Sequence, residues 1–239
     1  MSVLEDISAL LQQGRAPKVK ELCQQAMDEG LDPQEVLEKG LLDGMTIIGE
    51  KFKNNEVFVP EVLIAARAMN GGMAVLKPYL TQAGVESKGT AVIGTVKGDL
   101  HDIGKNLVKM MLEGKGINVI DLGVDVSAEK FVDAAVENNA QLICCSALLT
   151  TTMNEMKSVV SVATERGVRD QVKIMIGGAP ITQGFCDSIG ADCYTPDAAS
   201  AADAALNFCE QMNGRLTGKQ KKAVRTNLGA DGFFYDQKR

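Results

Sequence analysis

The chain holds one histidine, His101, in the segment Lys97-Gly98-Asp99-Leu100-His101-Asp102-Ile103-Gly104. A histidine two residues after an aspartate can give its Nδ1–H to the carboxylate and keep Nε2 for a metal. That bond fixes the tautomer and raises the basicity of the ligating nitrogen. One imidazole cannot hold a bare metal ion. It can supply the axial ligand to a metal that a macrocycle already chelates in its plane. A lone loop histidine is also a common surface residue, and these residues alone leave both readings open.

Three other segments carry hydroxyls and glycines: Ser146-Ala147-Leu148-Leu149-Thr150-Thr151-Thr152, Gly177-Gly178-Ala179-Pro180 and Thr195-Pro196-Asp197-Ala198. Glycine permits close backbone approach and hydroxyls supply hydrogen bonds, which together suit a bulky ligand. Taken locally, Ser146 and Thr150 also read as helix N-caps, and Gly177-Gly178 as a tight turn. The six cysteines form no C-x-x-C pair, and Cys144-Cys145 lies in an apolar run. They read as buried small hydrophobes in a reducing compartment, neither a disulfide frame nor a zinc site.

These segments need elements to position them. Short apolar runs at Thr90–Val96, Ile117–Leu122, Leu142–Ser146, Val172–Ile176 and, more weakly, Asp192–Thr195 predict strands. Helical stretches separate them at Ile103–Glu113, Ala128–Asn138, Met153–Arg166, Ile181–Ile189 and Ala198–Met212. Strict alternation predicts a flavodoxin-like, doubly wound parallel sheet. In such sheets ligands bind beyond the carboxyl ends of the strands. The loops after the first, third, fourth and fifth strands are the four segments above, so all four can line one site.

The first eighty or so residues predict roughly four helices in a bundle. Pro17 opens one that ends near Gly30, and Asp32-Pro33-x-Glu35 gives an N-cap, a proline at the first helical position and an N3 carboxylate. Pro60 opens a later one. The expected domains are a helical cap over 1–82, a linker over 83–89, an α/β domain over 90–213 and a C-terminal extension over 214–239. With 45% hydrophobic and 23% charged residues the chain can bury a core. A formal charge of −6 argues against a nucleic-acid partner. The chain shows no basic leader before an apolar run, and no segment reads as a membrane span. A cytoplasmic protein with no membrane partner is therefore expected.

The set Asp99-x-His101-x-x-Gly104, Ser146-x-Leu148 and Gly177-Gly178 resembles the cobalamin-binding signature. Cobalamin-dependent methionine synthase, the cobalamin mutases and the small corrinoid proteins of methylotrophic methyltransferase systems share it. The likeness extends to the bundle. Leu41-Leu42-Asp43-Gly44-Met45, Gly49-Glu50-Lys51-Phe52, Phe58-Val59-Pro60-Glu61-Val62 and Ala65-Ala66-Arg67-Ala68-Met69 resemble the helical cap of the methionine synthase cobalamin module. The resemblance runs from about Leu10 to about Met212.

It implies a cobalamin or related corrinoid, carrying methyl on cobalt, with the lower base displaced and His101 as the metal ligand. Asp99 orients that ligand, and Thr152 stands where the family's third relay residue is a serine. When the methyl leaves, His101 leaves the cobalt and shares a proton with Asp99. Gly98, Leu100, Asp102, Gly104, Ser146, Leu148, Thr150, Gly177, Gly178 and Ala198 belong to the pocket for the loop and the displaced tail. Phe52 and Val59 match cap residues that cover the methyl-bearing face, though both also read as bundle core. Glu38 matches a cap carboxylate near the corrin. The cap must move aside for partners, so a hinge at Gln82–Gly89 is expected.

Barrel-bearing enzymes of this group are longer than 239 residues. Mutase small subunits lack the cap, and cobalamin light sensors put a DNA-binding segment before it. The reading that follows is a corrinoid methyl carrier, not an enzyme on its own. It would serve a substrate-specific methyltransferase, a second methyltransferase to tetrahydrofolate or a thiol, and a reductive activase. A cobalamin-binding regulator and a small subunit of an adenosylcobalamin mutase are the alternatives. The extension over 214–239 has no counterpart in the resemblance. It holds seven Lys/Arg against two Asp/Glu and ends near Phe233-Phe234-Tyr235. It reads either as a tail packed on its own domain or as a recruiting segment for one methyltransferase.

Overall fold

A computed structural model describes residues 2–215 of the chain. The expectations for the extension fall, from residue 216 onward, outside the described residues. Four helices come first. Helix α1 is Val3–Gln12, with Ser2 and Glu5 forming a capping box. Helix α2 is Ala16–Asp28, entered through Pro17. The third, α3 over 33–53, begins on the Asp32 side-chain cap and runs as Pro33–Glu35, a π-helical stretch Val36–Leu42, then Asp43–Lys53. Sequence spacing gave no sign of the π stretch. Glu35 is taken by Lys39 at 2.7 Å and does not close a capping box. Helix α4 is Val59–Gln82.

Helix α4 corrects one expectation. At 24 residues it is long and apolar enough to cross a membrane by length and composition. Its apolar residues have another destination. Val62, Ala65, Met69 and Leu76 are buried against the other three helices. A Cβ at Gly72 would lie 2.8 Å from Leu41 Cδ2 and 3.1 Å from Cys23 Sγ, so only glycine lets α4 sit this close to α2 and α3. It is the core helix of the bundle.

Residues 83–88 lead to the α/β part. Its strands are β1 Gly89–Thr95, β2 Ile117–Asp121, β3 Leu142–Ser146, β4 Lys173–Gly177 and β5 Cys193–Tyr194. All pair in parallel, in the order β2-β1-β3-β4-β5. Helices α5 (Ile103–Glu113), α6 (Ala128–Glu137), α7 (Glu155–Glu165), α8 (Gln183–Ile189) and α9 (Ala198–Arg215) alternate with them. Helix α9 runs past Met212 to Arg215, and α7 starts two residues later than expected. The fold is thus the doubly wound parallel sheet with a helical cap.

The two sheet faces have different neighbours. One face (Val92, Ile143, Cys145, Ile174 and Ile176) packs on α6, α7 and α8 around Phe131 and Met156. The other (Ala91, Ile93, Leu142, Cys144 and Met175) meets α5 and α9, and its core is continuous with that of the bundle. The cap is therefore docked on the α5–α9 layer. Met45 lies against Gly114, where a Cβ would come 3.1 Å from Met45 Cβ.

Candidate functional site

The site begins where β1 runs out. Gly98 turns the chain with φ +79°, a conformation glycine adopts without strain. Asp99 follows and is fully buried. Five donors surround its carboxylate. Oδ1 accepts the His101 Nδ1–H at 2.7 Å and the His101 backbone N–H at 3.0 Å. Oδ2 accepts the backbone N–H groups of Leu148 at 2.8 Å and Leu149 at 3.3 Å, and the Thr152 hydroxyl at 2.8 Å. Burial alone would push this carboxyl up. The bonds from the His101 and Leu148 N–H groups, the His101 ring and Thr152 outweigh it and hold the group well below the usual carboxylate range.

An ionised Asp99 assigns the proton of His101 to Nδ1, so Nε2 keeps its lone pair. The His101 side chain is half exposed, at 51%. Around it Leu100 and Ile103 are exposed (71% and 78%), and so are Leu148 and Leu149. An apolar rim this exposed beside a metal-competent nitrogen marks a binding surface.

Next to the rim a cavity of ≈ 420 Å³ opens between the strand ends and helices α5 and α9. Its buried lining is apolar, with Ile93, Leu112, Cys144 and Met175 among it. Burial pushes the Cys144 thiol up to about 12, and all six cysteines are free, as small hydrophobes would be. Ser146, Gly177, Tyr194 and Asp197 bring backbone and polar groups to the same space. At Gly104 and Gly177 the position a Cβ would take has nothing within 4 Å, so both glycines leave the cavity room. At Gly178, φ +133°, a Cβ would fall 1.8 Å from the Ala147 carbonyl oxygen. Only glycine fits there, and β3 and β4 can close up behind the site.

The residues expected from sequence divide into groups. Asp99, His101, Thr152 and Leu148 come together in one hydrogen-bonded cluster, Leu148 through its N–H. Gly104, Ser146, Gly177, Gly178, Ala198 and Phe52 line the cavity. Phe52 reaches it from the cap and stands half-buried in the wall. Gly98 shapes the turn, and Asp102 accepts the Asn106 side chain at 3.0 Å. Thr150, Val59 and Glu38 are not brought to the cavity. Thr150 is exposed, Val59 begins α4, and exposed Glu38 accepts Gln34 at 3.0 Å. Neither Ser146 nor Thr150 caps a helix, because α7 starts at Glu155 behind Asn154.

Comparison with known proteins gives the family. A B12 binding domain matches residues 89–206 and a second B12 binding domain matches residues 3–77. A corrinoid protein of Desulfitobacterium hafniense is 42% identical over 218 residues, 90% of this chain and 99% of that one. The chain belongs to the corrinoid proteins of methyltransferase systems. Trimethylamine corrinoid protein 1 of Methanosarcina acetivorans is 48% identical over 176 residues, 73% of this chain and 82% of that one. Among solved structures, the methanol:cobalamin methyltransferase complex of Methanosarcina barkeri holds a chain similar to this corrinoid protein. The TM-score is 0.79 at 31% identity, over 87% of this chain and 80% of that one.

The site fits a corrinoid on its own geometry. The half-exposed imidazole leaves a nitrogen for a metal, the exposed apolar side chains suit a large apolar ring, and the adjoining cavity, open at two glycines, gives room for further parts of the cofactor. Among the described residues no cluster of three or more His, Cys, Asp or Glu could hold a metal ion. Sequence reading missed three groups. The Leu149 N–H carries no side-chain signal. Lys105, in the first turn of α5 and only 2% exposed, pairs with Asp121 at 2.7 Å. Asp125 lies in the loop after β2, the one strand-end loop not among the four expected.

Proposed function

We propose that this corrinoid protein is a methyl carrier in which His101 Nε2 would hold the cobalt of a bound corrinoid in place of the cofactor's own base. It would accept the methyl group from a substrate-specific methyltransferase. A second methyltransferase would take it on to tetrahydrofolate or a thiol, and a reductive activase would restore the carrier when it is oxidised. The carrier has no turnover of its own in this scheme. Six free thiols accord with a reducing cytoplasm. The names of the similar proteins, which include trimethylamine and dimethylamine corrinoid proteins and a methanol:cobalamin methyltransferase complex, support a methyltransferase partner.

One observation carries this reading: a fully buried Asp99 holds Nδ1 of a half-exposed histidine, beside the exposed apolar side chains of Leu100, Ile103, Leu148 and Leu149. The bound corrinoid supplies the cobalt that takes and releases the methyl group. The chain's residues do the rest. Asp99 holds Nδ1–H and makes Nε2 a better donor. Leu148, Leu149 and Thr152 keep Asp99 ionised. The carboxylate 2.7 Å from Nδ1 would hold the ring in one orientation whether or not Nε2 is engaged.

The test is electron paramagnetic resonance of the Co(II) protein. One strong axial nitrogen coupling is expected, and ¹⁵N-histidine should change it; with a single histidine the assignment is unambiguous. An unchanged coupling on labelling would overturn the ligand. His101→Ala should bind corrinoid without a protein nitrogen on cobalt. Methyl transfer in two half-reactions, each needing its own partner enzyme, checks the carrier role. Failure of either half-reaction with every candidate partner would overturn it.

A further inference from the structure

The loop after β2 lies along the segment that carries Asp99 and His101. Thr95 N–H donates to the Gly123 carbonyl at 2.9 Å, and Val126 N–H donates to the Thr95 carbonyl at 3.0 Å. Val96 and Val126 form an isolated parallel bridge. The loop then makes two contacts through a single residue. Asp125 N–H donates to the Asp99 carbonyl at 3.0 Å, and Asp125 Oδ1 accepts the Gly98 N–H at 2.7 Å. One side chain and its own backbone thus hold both ends of the Gly98-Asp99 unit.

Asp125 does this from a left-handed conformation, φ +53°. Aspartate and asparagine reach that region more readily than other residues with a Cβ, but it is uncommon even for them. Strained backbone persists where the surroundings over-determine it, and it clusters at functional sites. The surroundings here are the neighbouring turn, where Gly98 is also left-handed at φ +79°. On the far side of the loop the buried Thr95 hydroxyl donates to the His101 carbonyl at 2.9 Å. Asp99 N–H donates to the Val96 carbonyl at 3.1 Å. The backbone from 98 to 101 is pinned at each of these polar groups, and Asp125 supplies two of the pins.

We propose that Asp125 is a positioning residue for the Asp99–His101 pair, acting through the Gly98 N–H and the Asp99 carbonyl to set the direction in which the Asp99 carboxylate leaves the backbone. Asp99 must present one oxygen to His101 and the other to Leu148 and Thr152 at the same time. A small rotation of the 98–99 peptide would satisfy one side at the cost of the other. Asp125 is exposed, does not line the cavity and makes its hydrogen bonds to the Gly98 N–H and the Asp99 carbonyl, so its effect is felt through the backbone. The inference rests on the proposed role of the Asp99–His101 pair and extends it to a loop no motif covers.

Three substitutions separate positioning from turn-making. Asp125→Gly keeps the left-handed backbone and removes the acceptor. Asp125→Asn keeps both the acceptor oxygen and the tolerance for that φ. Asp125→Ala removes both. The first readout is the ¹⁵N and Nδ1–H resonances of the only histidine in the full-length protein without corrinoid. Wild type and Asp125→Asn should show one protected, downfield Nδ1–H signal. Asp125→Gly should lose or broaden it, with thermal stability above that of Asp125→Ala. The second readout is corrinoid affinity, expected to fall about 10–100-fold in Asp125→Gly, as for other partners that orient a metal ligand, and to return in Asp125→Asn. A wild-type Nδ1–H signal in Asp125→Gly would overturn the proposal, and so would an Asp125→Asn protein as impaired as the glycine variant. Because the first readout uses no corrinoid, it can fail while the cobalt coupling of His101 stands, and the reverse.

Discussion

Asp99 and Asp192 sit at opposite edges of the same parallel sheet, and each is satisfied in its own way. Asp192 stands just before β5 at the amino edge. It takes two cations, Arg169 at 2.8 Å and Lys173 at 2.7 Å, and the Ile174 N–H at 2.8 Å. Asp99 stands beyond β1 at the carboxyl edge. Among the described residues it takes no Lys or Arg, only two backbone N–H groups from the β3 loop, a hydroxyl and the ring and N–H of His101. Burial raises both carboxyls, and their partners outweigh it in both. A carboxylate between fixed cations is a rivet joining two strands. A carboxylate held by backbone N–H groups, a hydroxyl and an imidazole instead fixes how that imidazole is turned.

The largest effect should come from Asp99→Ala. It leaves the Leu148, Leu149 and His101 N–H groups without their acceptor in a buried site, while the Thr152 hydroxyl keeps the Leu149 carbonyl at 3.0 Å. An orphaned buried donor costs of the order of 1–3 kcal/mol, so urea unfolding should show the deepest loss of any variant in this group, along with loss of corrinoid binding. Asp192→Ala should cost less, of the order of 1–3 kcal/mol in all, since Arg169 and Lys173 are near enough to the surface to rehydrate. Its corrinoid affinity should match wild type. Equal losses in both properties for the two variants would erase the distinction between rivet and relay.

Salt and acid sharpen the comparison. Raising the salt should narrow the Asp192→Ala penalty, because an ion-paired carboxylate is screened, and leave the Asp99→Ala penalty unchanged. Both native carboxyls titrate below their unfolded value. The stability each contributes is therefore complete above about pH 4 and is lost as pH falls through the folded value. Wild type and Asp192→Asn should differ in unfolding free energy by a constant amount above about pH 4, and the gap should close below it. A gap that instead widens in acid would mean the shift has the opposite sign. Thr152→Val should cost about 1 kcal/mol in stability, one hydrogen bond among five, and Thr152→Ser should recover it. Smallest of all should be Asp203→Asn at the cap contact, where the partners Lys53 (3.9 Å) and Lys115 (3.0 Å) leave Asp203 half exposed. Exposed pairs of this kind contribute about 0–1 kcal/mol, and calorimetry should barely register the change.

Much of the site was legible because its central contact is local. Asp99 and His101 are two residues apart, and a turn brings a carboxylate onto the neighbouring imidazole whatever surrounds it. Strands β3 and β4 and helix α5 were legible for a similar reason, since their apolar runs and bounding residues carry the information within a few positions. Thr152 and Leu148 are 53 and 49 residues from Asp99. The family likeness named them, but only the pairing of β1 with β3 decides that one meets Asp99 by its hydroxyl and the other by its N–H.

The amino-acid sequence by itself determined the alternation of strand and helix, the order of strand-end loops and the one histidine with its aspartate. Each is set by period, spacing or residue type. Tertiary structure alone decided the rest. Helix α4 has the length and composition of a membrane span, yet it is a core helix because one of its faces packs against three other helices. The π stretch of α3 is invisible in a hydrophobic period. The loop after β2 carries no glycine pair or hydroxyl run, and Asp125 gains its partners only because β2 and β1 are neighbours in the sheet. Contacts between distant segments depend on which elements pack side by side, and strand order is a property of the whole chain rather than of any window within it.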